Sequence, residues 1–418
     1  IEARKYRIYP NEEQQQLIKD SIEYNREMWN TLLGILYKDY INKLKAEYGY
    51  RYKNKVLYNF LNHLEYKEQK DIAKRLSKIN LKSLYKGTRM ENGDVTMYSY
   101  TKKTLKQAFS NHFMNPKHFG LPQFKSFLST LYSGSYTSGT QKHNYFKYGN
   151  IFKISKIGNV KIVNHYKSNG RPFKVTIKRL SDDTYFVVVF YEQEKHTKIF
   201  DKTNRSIGID FNVDSETALS TSFEEFITRP KNAKLYQKYD YENSKLGKKR
   251  DKLKYEILEY NYNHKDSPIS LADFENYQKN RLKVARIAQK IRRIYDYWIK
   301  TEASKIVKEN DIIAIEDLKV SNMMKNRKLS KAIARSHFRE LRTVLEYKTM
   351  WSNKKLIVVP PRNTTQTCSN CGFLMNGQNK LTLKDREWDC PECHVHHIRD
   401  VNASKNILKK GIDMMNES

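Results

Sequence analysis

SIGIDF, residues 206–211, is an apolar run carrying one acid, Asp210, and it follows a polar linker, DKTNR, at 201–205. Two runs of the same kind lie downstream: DIIAIE at 311–316, ending on Glu316, and KLIVVP at 355–360. Short apolar runs without polar alternation read as strands buried on both faces. A long basic helical stretch reaching about residue 309 is expected after the first run, and helices to about 350 after the second. Helices alternating with such strands predict an α/β sheet covered by helices. A Cys-rich insert then precedes a closing helix that begins near Asp400.

Upstream of the linker the period changes to two. Phe173, Val175 and Ile177 alternate with Lys174, Thr176 and Lys178, Ser181 to Asp183 supply a turn, and Tyr185, Val187, Val189 and Tyr191 alternate again. This predicts a hairpin within an antiparallel β unit over 121–200. RKYRIY at 4–9 alternates basic residues with Tyr or Ile before Pro10 and Asn11 break the run and Glu12 and Glu13 open a helical pattern. That strand is expected to join the β unit. Residues 11–120, with helical spacing at Leu17, Tyr24, Met28, Leu32 and Leu36, would be a helical insertion into it.

A chain of 418 residues implies two to four domains at about 150 residues each. Its 78 Lys and Arg against 46 Asp and Glu leave a formal charge of +32, which repels itself in a compact state unless a polyanion neutralises it. A nucleic-acid partner follows, although an AT-rich genome would account for part of the lysine excess. With 39% hydrophobic residues and 30 Tyr, a disordered chain is excluded. No apolar run approaches a membrane span, and the start, IEARKYRIYP, has no apolar signal region, which predicts an intracellular protein without a membrane partner.

All 4 cysteines lie close together. Cys368-x-x-Cys371, an 18-residue spacer and Cys390-x-x-Cys393 match zinc-ribbon spacing. Four thiolates complete a tetrahedral site and leave no open position, so one structural Zn²⁺ is expected. His394, His396 and His397 follow closely but are not needed as ligands. Asp210, Glu316 and Asp400 each read alone as a turn former or helix cap. Together, at the ends of core elements of one α/β unit, they form a set able to hold two Mg²⁺ ions for phosphodiester hydrolysis.

GIDFN at 208–212, IAIEDLKVSNMMKN at 313–326, TTQTCSNCG at 364–372 and RDVNASKNIL at 399–408 resemble the TnpB proteins. These are RNA-guided endonucleases of insertion-sequence transposons, related to type V CRISPR effectors. RKYRIYPNEEQ at 4–14 and GLPQFKS at 120–126 look like the family's N-terminal strand and its return to the β module. The likeness therefore spans nearly the whole chain, with 40–110 matching only in position and character.

The resemblance implies a multidomain α+β fold. A β-barrel-like, wedge-like module would comprise 1–10 and 121–200, with a helical recognition domain at 11–120. A RuvC (RNase H-like) α/β nuclease domain would take 201–360, a zinc ribbon 361–395 and the last RuvC segment 396–418. Asp210, Glu316 and Asp400 would be the catalytic acids holding two Mg²⁺ (or Mn²⁺) ions. Implied partners are a guide RNA, one protein per RNA, and target double-stranded DNA, in a prokaryotic cytoplasm and on the nucleoid. Two departures stand out: Ile398 occupies the place where the family often has an acid, and NVDSETALS replaces a glycine-containing continuation, leaving Asp214 as an unassigned nearby acid.

Residues 279–298 carry an apolar stripe, Val284, Ile287, Ile291, Ile294 and Trp298, with Lys279, Arg281, Lys283, Arg286, Lys290 and Arg293 mostly elsewhere on the helix. Sparse acids favour backbone contact with nucleic acid over a merely solvated face. Lys245, Lys248, Lys249, Arg250 and Lys252 repeat the pattern more weakly. Three other readings share parts of these features: a miniature type V CRISPR effector, a cleavage-inactive RNA-guided repressor and a guide-independent junction nuclease.

Overall fold

The computed structural model describes residues 1–418 except 50–53, 141–143, 148, 165–169, 193–199, 214–215, 383 and 418, so Asp214 lies outside the described residues. The chain divides into two compact units, Ile1–Glu194 and Lys195–Ser418.

In the first unit β1 (Glu2–Tyr9) is followed by α1 (Glu12–Leu36), α2 (Lys38–Tyr48), α3 (Asn54–Asn62), α4 (Tyr66–Lys78), α5 (Lys82–Tyr85), α6 (Val95–Met114) and α7 (Leu128–Leu131). Strands β2 (Gly134–Gly139), β3 (Tyr145–Phe146), β4 (Ile151–Ile154), β5 (Gly158–Ile162), β6 (Arg171–Arg179) and β7 (Tyr185–Glu192) then complete an antiparallel sheet in the order β2-β6-β7-β1-β5-β4-β3. β1 sits inside that sheet, pairing with both β7 and β5. Its alternation explains the place: Tyr6 and Ile8 are buried, while Lys5 and Arg7 lie over the Phe186 ring at 4.0 and 5.2 Å. The outermost strands are β2 and β3, so among the described residues hydrogen bonding does not close the sheet into a full barrel.

Asn11 caps α1, accepting from the Gln14 N–H at 2.8 Å while the Gln14 side chain accepts from the Asn11 N–H at 3.1 Å. The helix buries Ile18, Ile22, Met28, Trp29, Leu32, Leu33 and Leu36. Leu17 and Tyr24 are only partly buried, at the edge of that face.

The second unit begins with β8 (Ser206–Phe211), β9 (Thr217–Thr221), β10 (Phe226–Thr228), α8 (Ala233–Asn263), α9 (Glu275–Glu309) and β11 (Ile312–Glu316). It continues through α10 (Val320–Met323), α11 (Ser330–Ser336), α12 (Phe338–Trp351), β12 (Lys355–Val359), β13 (Glu387–Asp389), β14 (His396–Ile398) and α13 (Arg399–Asn416). The main sheet has the order β10-β9-β8-β11-β12, with β8, β11 and β12 parallel and β9 antiparallel to β8.

Strands β9 and β10 occupy sequence expected to be helical. β9 buries Ala218 and Leu219 in the core but also Ser220 and Thr221 completely, so its apolar signal is only two residues long. Ser220 accepts from the Asn212 side chain at 2.8 Å, which satisfies the buried hydroxyl. Glu224, at φ +65°, turns the chain into β10. The expected single helical stretch is also two helices, separated where the Asn261 side chain bonds both the N–H and the C=O of Ile269.

Helices cover both faces of this sheet. Ile207, Ile209, Phe211, Ile313 and Ile315 pack with Ile291, Ile299 and Ile306 of α9 and Leu341 and Leu345 of α12. The opposite face meets α13 through Ala314, Val359 and Ile407. Two glycines permit that close approach. A Cβ on Gly208 would strike the Ser404 main-chain oxygen and stand 2.8 Å from the Leu408 Cβ, and one on Gly411 would stand 2.8 Å from the Ala314 Cβ. Among the described residues no helix is long and apolar enough to cross a membrane.

Candidate active site and cysteine cluster

Strand periodicity of two decides where the acids point. In β8, Ile207, Ile209 and Phe211 enter the core against α9 and α12, so Gly208 and Asp210 face α13. In β11, Ile313 and Ile315 enter the same core, so Ala314 and Glu316 face α13. Ile209 pairs with Ile315, which sets Asp210 and Glu316 at neighbouring places in parallel register. Asp400 lies in the first turn of α13, past the cap position, which Ile398 occupies.

Asp210 and Glu316 are both buried. Burial pushes the Asp210 carboxyl well above its ordinary range, and the charges of Glu316 and Asp400 push it the same way. Burial also raises Glu316, opposed by a hydrogen bond donated by the Thr364 hydroxyl and by the Lys410 ammonium. Asp400 accepts from Arg399 Nε at 3.2 Å and from Arg386 at 3.4 Å. Among the described residues the three carboxylates do not draw as tightly together as the cysteines, which form the one group of potential metal ligands with all donor atoms within 4.8 Å of one another.

That cluster is Cys368, Cys371, Cys390 and Cys393. The Cys368–Cys393 and Cys371–Cys390 sulfur pairs are each 3.6 Å apart, near the ~3.8 Å edge of a tetrahedron with metal–sulfur bonds of about 2.3 Å. The Val395 N–H and the Asn370 side chain hold the Cys393 thiol down at about 6. Four soft donors in this geometry fit Zn²⁺. His397 is buried with Nε2 3.1 Å from the Cys368 sulfur and its ring against Trp388. His396 bonds Asp389 at 2.9 Å on the surface, and His394 is exposed.

Thr364, Asn402, Asn406 and Lys410 also stand around the Glu316 carboxylate and the loop beside it. Thr364, Asn402 and Asn406 lie inside motifs quoted above, yet a threonine or asparagine has no pattern that marks it out without its neighbours in space.

On α9, Lys283, Arg286, Lys290 and Arg293 are exposed along one face at successive spacings of three and four. Acids are less sparse there than the sequence alone implies. Lys279 pairs with Glu275 at 2.7 Å and Lys283 with Glu242 of α8 at 2.6 Å. Arg281 donates to Gln278 at 3.0 Å and Arg293 to the Gln289 carbonyl at 3.1 Å. Among the described residues Arg286 and Lys290 have no acidic partner. On α8, Arg250 bonds Asp251.

Three family models match this chain. Residues 188–327 match the model described as "Probable transposase", 338–407 the "Cas12f1-like, TNB domain" and 1–45 a "Helix-turn-helix domain" that accompanies the transposase. A putative RNA-guided DNA endonuclease of Streptomyces pristinaespiralis is 27% identical over 415 residues, covering 98% of this chain and 89% of that protein. The putative RNA-guided DNA endonuclease InsQ of Escherichia coli K12 is 30% identical over 151 residues, 32% of this chain and 37% of InsQ. The TnpB-like protein MJ0751 of Methanocaldococcus jannaschii is 29% identical over 129 residues, 29% of this chain and 45% of that protein. These matches support the TnpB family.

Among solved structures, a Cas12f1–sgRNA–target DNA complex gives a TM-score of 0.47 at 17% identity over 94% of this chain and 81% of that one. The transposase match begins before the Asp210 strand and ends after the Glu316 strand, and the TNB match contains all four cysteines and Asp400.

Proposed function

We propose that this chain is an RNA-guided DNA endonuclease of an insertion-sequence transposon. A guide RNA selects double-stranded DNA beside a short motif, and a RuvC-like site formed by Asp210, Glu316 and Asp400 cuts it. One observation carries the reading: Asp210 and Glu316, on neighbouring parallel strands, face the helix that carries Asp400. The near full-length likeness to a putative RNA-guided DNA endonuclease supports the same activity.

A buried acid raised by two like charges is a place where a cation relieves repulsion, and carboxylate oxygens are the donors that hard divalent ions take. Asp210, Glu316 and Asp400 would hold Mg²⁺ (or Mn²⁺), and bound ions of this kind activate a water and stabilise the leaving oxygen of a phosphodiester. The protein's part is to orient the acids. Sheet register aligns Asp210 with Glu316, Thr364 and Lys410 hold Glu316, and Arg386 and Arg399 hold Asp400. Cys368, Cys371, Cys390 and Cys393 would hold one structural Zn²⁺.

The accompanying assignment makes 1–10 and 121–200 a wedge-like β module and 11–120 a recognition domain. Residues 201–360 and 396–418 become the nuclease, and 361–395 the zinc ribbon. Lys279, Arg281, Lys283, Arg286, Lys290 and Arg293 serve as backbone contacts, which suits a protein that leaves sequence reading to base pairing. One protein would act per RNA, in the prokaryotic cytoplasm. The test is to purify the protein with RNA from its native locus, sequence that RNA, and challenge the complex with matched plasmid in Mg²⁺. Guide-matched cleavage is expected; absence of any bound locus-derived RNA overturns the reading.

A further inference from the structure

Glu316 ends β11, and the loop that leaves β12 crosses beside it on the way to the first cysteine knuckle. Thr364, in that loop, is 2% exposed and donates its hydroxyl to a Glu316 carboxylate oxygen. The loop itself is held by two buried asparagines one turn apart on α13. Asn406 donates to the Thr364 carbonyl at 2.9 Å and to the Thr367 carbonyl at 2.6 Å. Asn402 donates to the Thr367 carbonyl at 2.8 Å and accepts from the Ser369 N–H at 2.8 Å. Thr367 and Ser369 flank Cys368, so the backbone on both sides of a cysteine ligand is tied to the helix that carries Asp400.

A threonine side chain buried against a carboxylate fixes the direction of one carboxylate lone pair, and a second hydrogen-bonded partner commonly decides how well a metal ligand binds. We propose that Thr364 is a positioning residue for Glu316, held in place from α13 by Asn406 and Asn402, so that the entry to the cysteine cluster and the orientation of Glu316 form one connected unit. The proposal rests on Glu316 belonging to the nuclease site. Thr364 touches neither substrate nor a reacting atom. Its hydroxyl leaves the other Glu316 oxygen available for a divalent ion.

The experiment uses the guide-RNA-bound protein with Thr364→Val, Thr364→Ala and Thr364→Ser, and Glu316→Ala as control. Cleavage is followed against Mg²⁺ concentration, Mn²⁺ binding is measured by electron paramagnetic resonance, and zinc content and melting temperature are recorded. Val and Ala should raise the Mg²⁺ midpoint and weaken Mn²⁺ binding by about 10- to 100-fold. Zinc content and target-DNA affinity should stay at the unsubstituted values, and Ser should restore both metal readouts. A purely structural threonine would lower the melting temperature without moving the Mn²⁺ affinity of the folded protein. Unchanged Mg²⁺ midpoint and Mn²⁺ affinity in either folded variant, with Glu316→Ala inactive, overturns the positioning role. Full cleavage by Glu316→Ala overturns instead the site assignment beneath it.

Discussion

Asp210 and Glu316 stand one step beyond the Ile209–Ile315 pair of two parallel strands, and the Glu316 charge helps to raise the Asp210 carboxyl. Two acids so placed repel each other unless a cation or a proton intervenes. Asp210→Ala or Glu316→Ala should therefore abolish DNA cleavage. Guide-dependent DNA binding, measured by filter retention, should survive, because the basic surfaces are untouched. Full cleavage by Asp210→Ala in Mg²⁺ would remove this acid from the site.

The same relationship sets a pH dependence. The folded-state carboxyl of Asp210 is raised, so the native chain binds the proton more strongly than the unfolded chain does. Its contribution to stability is complete below the ordinary carboxylate range and is lost as pH rises through the folded value. In Mg²⁺-free buffer with zinc retained, Asp210→Asn should melt higher than the unsubstituted protein near neutral pH, and the difference should shrink on acidification or on adding Mg²⁺. Equal melting temperatures across pH would contradict it.

Sulfur spacings of 3.6 Å across the cysteine cluster predict one tightly bound zinc per chain. Cys390→Ser should lower the melting temperature and the zinc content together, since metal–ligand bonds stabilise the folded ribbon directly. Elemental analysis of protein purified without chelators is the check, and zinc-free protein that melts normally would refute it.

Replacing Arg286, Lys290 and Arg293 together by Ala removes exposed cations without touching the buried stripe of α9. Affinity for guide-bound targets should fall across unrelated sequences. The log–log salt slope should become shallower by up to about two to three, at about 0.7 to 0.9 per lost phosphate contact. An unchanged slope in a folded triple variant would show that this face is only solvated.

Gly208→Ala should destabilise the second unit by about 1–3 kcal/mol or more, the cost typical of overpacking. The new methyl would meet the Ser404 main chain, which a side-chain rotation cannot move. Urea unfolding of the two proteins measures the difference.

Much of this was legible from residue order, because the signals are local. Period-two alternation in 173–191 produces the β6–β7 hairpin, and apolar runs produce β8, β11 and β12. Asn11 and Gln14 mark the start of α1 through a capping pair three residues apart. Cysteine spacing alone is enough to expect the cluster, since two knuckles are short-range structures and thiolate chemistry needs no other context. β9 was not legible: only Ala218 and Leu219 of its four buried positions are apolar, and the buried Ser220 hydroxyl is satisfied only once Asn212 of the neighbouring stretch is in place.

Tertiary structure alone decided the rest. Three acids far apart in sequence become neighbours only because strand register sets Asp210 beside Glu316 and Gly208 admits α13. Thr364 acquires a role only when its hydroxyl meets Glu316 and Asn406 holds its carbonyl. Ion pairs such as Lys283–Glu242 arise between separate helices, so the free charge of α9 could not be counted from its own residues. The reason is common to all of them: a hydrogen bond or a Coulomb interaction acts over a few ångströms of space, and sequence separation carries that information only within a turn of helix or along a strand.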